Sequence, residues 1–128
     1  MDKKSKRQSN ISKYANIKTD LTWQITYFND RIRRIVWQLP AGILADYLRL
    51  TDAMALYGAD LRMPHSKSMG SGLFELRPKG PEGIARVFYC LQMGKTIVVL
   101  HTFVKKTQET PPKEIRLARE RAKEVRNG

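Results

Sequence analysis

The sequence predicts an α+β fold in which an N-terminal strand and a helical hairpin pack on an antiparallel sheet, followed by a C-terminal helix. Three observations predict it. Apolar residues recur at helical spacing in two successive stretches ahead of Gly58, three strand-like runs follow one another between Leu73 and Val104, and a proline-led helical stripe closes the chain. At 128 residues the chain has room for one domain with one core.

The first strand is expected within Leu21–Phe28, where Thr, Trp, Ile, Tyr and Phe roughly alternate with polar residues. Asn29 or Asp30 can then cap a helix whose apolar face is Ile32, Ile35, Val36 and Leu39, with Arg31, Arg33 and Arg34 opposite. Pro40 interrupts it and suits the first position of a second helix, because the missing amide would have no partner there. Ile43, Leu44, Tyr47, Leu48, Met54 and Ala55 carry that helix to Gly58, a C-terminal stop. The run from Met63 to Gly72 has no periodicity and is dense in Gly, Ser and Pro, so it reads as a loop.

Leu73–Arg77, Ile84–Gln92 and Thr96–Val104 then form an antiparallel meander. The turn Met93-Gly94-Lys95 is short enough to fix the register of its last hairpin. Thr110-Pro111-Pro112 opens the final helix, whose stripe of Ile115, Ala118, Ala122 and Val125 is narrow and implies a weak dock. With the helices placed on one face of the sheet, the other face is expected to be available.

Composition narrows the function. Twenty-four Lys and Arg against 12 Asp and Glu give a net charge of +12, which draws polyanions: a nucleic acid or an acidic protein. Residues 1–20 hold six of those cations and almost no large apolar side chain, and read as a flexible or loosely docked basic arm, with an RNA-gripping arm as the alternative. Residues 21–128 form the domain. Cys90 has no second cysteine to pair with, which suits a reducing cytoplasm, and neither an export signal nor a membrane span is visible. His65 and His101 lack ligand spacing, so no metal or other cofactor is expected, and no phosphate-cradling glycine loop ends in Lys-Ser. Cys90 lies mid-strand among apolar residues, where an inert buried thiol is expected.

What remains is a set of cations tied to the strands: Lys67, Arg77, Lys79, Arg86, Lys105 and Lys106. Alternation puts Arg77 with Leu73 and Glu75, opposite Phe74 and Leu76. Arg86 is opposite in parity to Val87, Tyr89 and Leu91. Ile97, Val99 and Phe103 share the parity of His101 while Val98, Leu100 and Val104 take the other, so the side of His101 is left open. Fixed cations around a phosphate stabilise the charge it gains on becoming pentacoordinate, and the planar fork of Arg77 suits two phosphate oxygens. Tyr89 and Phe103 are candidate base-stacking residues, with a core role as the alternative.

The blocks Leu61–Lys67, Gly72–Arg77, Ile84–Cys90, His101–Gln108 and Thr110–Glu114, in that order, resemble the phage-derived branch of the RelE/HigB toxin superfamily. The resemblance spans Leu21 to Arg126. It implies a RelE-like fold, ribosome-dependent cleavage of messenger RNA without a metal, and neutralisation by a helix-turn-helix antitoxin encoded nearby. It implies attack by the RNA's own 2′-hydroxyl, giving a cyclic phosphate and a free 5′-hydroxyl. By the same resemblance Lys67, Arg77 and Lys105–Lys106 surround the phosphate. With His101 added from its own chemistry the candidate catalytic set is Lys67, Arg77, His101 and Lys106, and the candidate RNA-binding residues are Arg86, Lys105, Lys79, Tyr89 and Phe103. Many relatives carry a tyrosine or histidine near the C-terminus as acid or base. This chain has none after His101, which leaves His101, Tyr89 or a shifted lysine for that role. Two other readings fit the same fold: a ParE-like toxin acting on DNA gyrase, and a basic RNA-binding module without catalysis.

Overall fold

A computed structural model of the chain describes residues 22–105 and 109–128, so the basic arm at 1–20 and Lys106 lie outside the described residues. The order is β1 (Gln24–Tyr27), α1 (Asp30–Trp37), α2 (Ala41–Tyr57), β2 (Ser66–Gly70), β3 (Leu73–Leu76), β4 (Lys79–Gly80), β5 (Gly83–Gln92), β6 (Thr96–Lys105) and α3 (Pro112–Asn127). Among the described residues this is α+β, with three helices and one sheet. The sheet runs β1-β6-β5-β3-β2, with the short β4 beside β5. No described helix is long and apolar enough to cross a membrane.

Asn29 is the cap of α1, its side-chain oxygen accepting the Ile32 amide at 2.9 Å. Pro40 stands one place earlier than the sequence suggests, as the cap of α2 rather than its first residue, and offers no side-chain acceptor. Glu82 supplies the acceptors instead, taking the Gly42 and Ile43 amides at 2.9 and 3.2 Å. Those amides hold its carboxyl below the usual carboxylate range, with the Gly42 bond the largest cause.

Three expectations are corrected. The Met63–Gly72 loop contains β2, an edge strand paired with β3. Ser-Lys-Ser-Met-Gly has little strand propensity, and pairing with an apolar neighbour overrides it. The sheet is mixed, because β1 lies parallel to β6, whereas β2 through β6 pair antiparallel. A parallel neighbour requires a long crossover, and the helical hairpin and intervening strands provide it. Finally, the second sheet face is not left open.

On one face, Ile32, Val36, Ile43, Tyr47, Leu50 and Met54 of the hairpin pack against Leu76, Ala85, Val87, Tyr89, Ile97 and Val99. On the other, Ala118 and Ala122 of α3 pack against Leu73, Phe88, Cys90, Val98 and Leu100. The apolar stripe of α3 is as narrow as its sequence suggests, but arginines extend the dock. Arg119 donates to the carbonyls of Met69 and Gly70, Arg126 to Ser71 and Arg121 to Leu100, while the Arg121 guanidinium lies 5.2 Å from the centre of the Phe28 ring.

A register shift in the β5–β6 pair decides what the sequence leaves open. Phe88 opposes His101 and Tyr89 opposes Val99, so Leu100 is an extra residue on β6. The bulge reverses the alternation. Val98 and Leu100 before it, and His101, Phe103 and Lys105 after it, all share the α3 face.

Candidate active site

Directly opposed residues of neighbouring strands share a face, and on the α3 side they form rows. Lys67 opposes Glu75, Glu75 opposes Phe88, and Phe88 opposes His101, so one row crosses four strands. Arg86 opposes Phe103 in the next row. Lys79, Ile84 and Lys105 make a third. Arg77 follows β3 directly, and its amide donates to the His65 carbonyl at 2.9 Å, which ties it to the lead-in of β2.

Glu75 is the centre of this surface. It is only 2% exposed. One carboxylate oxygen lies 3.2 Å from Arg77 Nε; the other accepts the Thr110 hydroxyl at 2.9 Å and sits 3.7 Å from Arg86 Nε. A carboxylate so buried needs this compensation, and it draws two guanidinium groups and the lead-in to α3 to one point. Lys105 is buried beside them. Burial pushes its ammonium below the ordinary lysine range, the neighbouring Arg86 and Arg77 push the same way, and Glu75 opposes them. Burial likewise lowers Arg86, against the attraction of Glu75. One carboxylate thus faces three buried or half-buried cations, and the local excess is positive.

His101 closes the other end of the first row. Its Nε2 is 2.7 Å from Glu114 Oε2 on α3, and its ring forms a triangle with those of Phe88 and Phe103, at centroid distances of 6.3 and 6.1 Å from His101 and 6.2 Å between the two phenyl rings. A carboxylate on one ring nitrogen fixes the orientation of the imidazole. These rings therefore sit next to the cations, with Phe103 half-buried opposite Arg86.

The structure thus brings together Lys67, Arg77, Lys79, Arg86, His101, Phe103 and Lys105 on one face of the sheet. Lys67 and Lys79 are exposed, Arg77 is half-buried, and Arg86 and Lys105 are buried. Two sequence expectations change. Tyr89 lies on the opposite face at 1% exposure, stacked on Phe74 with its hydroxyl donated to the Ala59 carbonyl, and cannot reach RNA from there. Burial pushes that hydroxyl up to about 12, the state of a core phenol. Arg86 is 4% exposed, which leaves almost none of its side chain for a ligand to touch.

The sequence reading missed two residues, Glu75 and Thr110. Glu75 carries a readable signal: it has the parity of Arg77 in an otherwise apolar strand, a place where an acid needs a cation. Thr110 carries none, because its contact depends on how the chain returns after β6.

The sequence matches the family described as phage-derived protein Gp49-like (DUF891) over residues 34–123, which is most of the chain and includes every residue of the cationic face. The chain belongs to the Gp49-like family. That family is a RelE-like toxin family of toxin–antitoxin systems, and an antitoxin is therefore a partner of this Gp49-like protein. No curated protein matches the sequence.

Proposed function

We propose that this Gp49-like toxin is an endoribonuclease of the RelE/HigB kind that cuts messenger RNA on the translating ribosome, in the cytoplasm, and is held in check by a helix-turn-helix antitoxin. The observation that carries the reading is the gathering of Arg77, Arg86 and Lys105 around the buried Glu75, with Lys67 and Lys79 exposed on the same face.

The arrangement suits attack by the RNA's own 2′-hydroxyl, the reaction that the family resemblance implies. The 2′-oxygen of the RNA bonds to the adjacent phosphorus as its proton passes to a base, and the bond to the 5′-oxygen breaks as that oxygen takes up a proton. The products are a 2′,3′-cyclic phosphate and a 5′-hydroxyl. The pentacoordinate phosphate carries more negative charge than the ground state, so cations fixed beforehand lower the barrier. Arg77 holds two phosphate oxygens with its fork, and Lys67 and Lys105 contribute charge. His101, oriented by Glu114, handles the proton. Phe103 stacks on a base beside the scissile bond. Lys106, next to Lys105 in the sequence, is a further cation that this reading assigns to the catalytic set. Guanidinium and ammonium groups supply the charge that a metal would otherwise bring.

The test is expression of the chain and of Arg77→Ala in translating cells, with mapping of messenger RNA ends. New ends bearing 5′-hydroxyls that depend on Arg77 are the expected result. Growth arrest with intact messages would overturn the reading and favour a gyrase-directed toxin.

A further inference from the structure

α1 carries a second cationic surface, on the side of the sheet opposite the Glu75 cluster. Its buried side is Ile32 and Val36, packed into the hairpin core. Arg31, Arg33 and Arg34 are exposed, and Trp37 is 50% exposed. With 3.6 residues per turn, Trp37 lies one turn beyond both Arg33 and Arg34, so the indole and the guanidinium groups share one patch. The helix has a single acid, Asp30, which lies 3.8 Å from Arg33. Those two side chains are 80% and 56% exposed, and a pair so wet neutralises little.

We infer that this face of α1 binds the phosphate backbone of RNA and stacks Trp37 on an unpaired base, as a contact separate from the sheet-face site. Charge and composition select the occupant. A protein interface needs an apolar centre, and the exposed arc of α1 offers one large apolar side chain among cations. RNA-binding surfaces are polar and cationic, and use isolated aromatic rings as stacking platforms. Two cationic faces on opposite sides of one sheet fit a folded RNA that the protein grips at two points, with the strand to be cut on one side and a structured region on the other. The inference rests on the proposed function only in taking RNA as the polyanion, and it needs no cleavage.

The experiment uses the full chain carrying Arg77→Ala and a fully 2′-O-methylated RNA hairpin with a single-stranded loop, which cannot be cut by 2′-hydroxyl attack. Binding is followed by tryptophan fluorescence across a salt series, and Trp37→Phe separates the Trp37 signal from that of Trp23. The expected result is quenching of Trp37 on RNA addition. In R31Q/R33Q/R34Q that quenching is lost, and the slope of log affinity against log salt becomes shallower by about 2, at about 0.7 per phosphate contact. Thermal melting of the triple variant confirms its fold. Unquenched Trp37 together with an unchanged salt slope overturns the inference. So does quenching by a poly-glutamate peptide and not by RNA, which would assign the face to an acidic protein. If the wild type fails to cut RNA in cells, the nuclease reading falls while this binding result stands.

Discussion

Substituting Glu75 by glutamine tests the logic of the site with the smallest change of shape. At an effective dielectric near 20, unit charges at the observed 3.2 and 3.7 Å attract by about 5 and about 4.5 kcal/mol. Desolvation of the groups offsets much of that, and removing one partner of a buried pair costs about 3–5 kcal/mol. Glutamine still accepts the Thr110 hydroxyl, which places the expected loss at the low end, about 3 kcal/mol or roughly 10 °C in melting temperature for a domain of this size.

Cleavage and binding should then part company. Losing the anion strengthens attraction for a phosphate about 5 Å away by about 0.8 kcal/mol in a water-like dielectric, or about fourfold in affinity for uncleavable RNA. Turnover falls by about 10- to 100-fold, because Arg77 is no longer held and a misplaced donor loses most of its effect. The pH profile adds a signed readout. Glu75 is the main group raising the lowered Lys105, so E75Q moves the ammonium further down and the alkaline limb of activity to lower pH. Melts, uncleavable-RNA binding and pH–rate profiles of the purified protein measure all three. A variant with wild-type melting and an unshifted alkaline limb would refute the claim that Glu75 organises the cations.

Other perturbations reach the scaffold. Glu82→Gln lowers the urea midpoint at neutral pH, since the charged acceptor at the start of α2 is gone. Because the folded carboxyl titrates below its unfolded value, this contribution is full above the unfolded value and vanishes as pH falls through the folded one, so the two proteins converge in acid. Tyr89→Phe leaves the buried Ala59 carbonyl without its donor and destabilises by about 1–3 kcal/mol in denaturant titration, with RNA affinity unchanged. Gly80→Ala puts a Cβ at 2.6 Å from the Gly42 carbonyl carbon and 2.7 Å from the Ile43 amide nitrogen, backbone that cannot step aside, and destabilises by about 1–3 kcal/mol or more in the same titration.

Periodicity made most of the architecture legible. Ile32, Val36, Ile43, Tyr47 and Met54 are buried where helical spacing puts them, and the β5–β6 hairpin turns at Met93–Lys95. β2 was hidden because Ser66–Gly70 owes its conformation to a neighbour rather than to its own residues. The parallel seat of β1 beside β6 is a long-range choice that four residues cannot announce. For the site, parity placed Arg77 and Arg86 with respect to their strand neighbours, but one extra residue at Leu100 settled where His101 points, and alternation alone cannot reveal a bulge. The misplacement of Tyr89 has a plain cause. An aromatic residue on a strand looks the same whether it faces a ligand or a core, and here the Ala59 carbonyl claims its hydroxyl.

The way α3 is held has an evolutionary side. Arg119, Arg121 and Arg126 grip main-chain carbonyls at Met69, Gly70, Ser71 and Leu100. A carbonyl is present whatever residue bears it, so the receiving end of each contact survives substitution as long as the backbone path is kept. The docking helix thus carries the sequence requirement of those arginine contacts, and what restricts the β2–β3 turn beneath it is its own backbone, since Gly70, Ser71 and Gly72 all have positive φ.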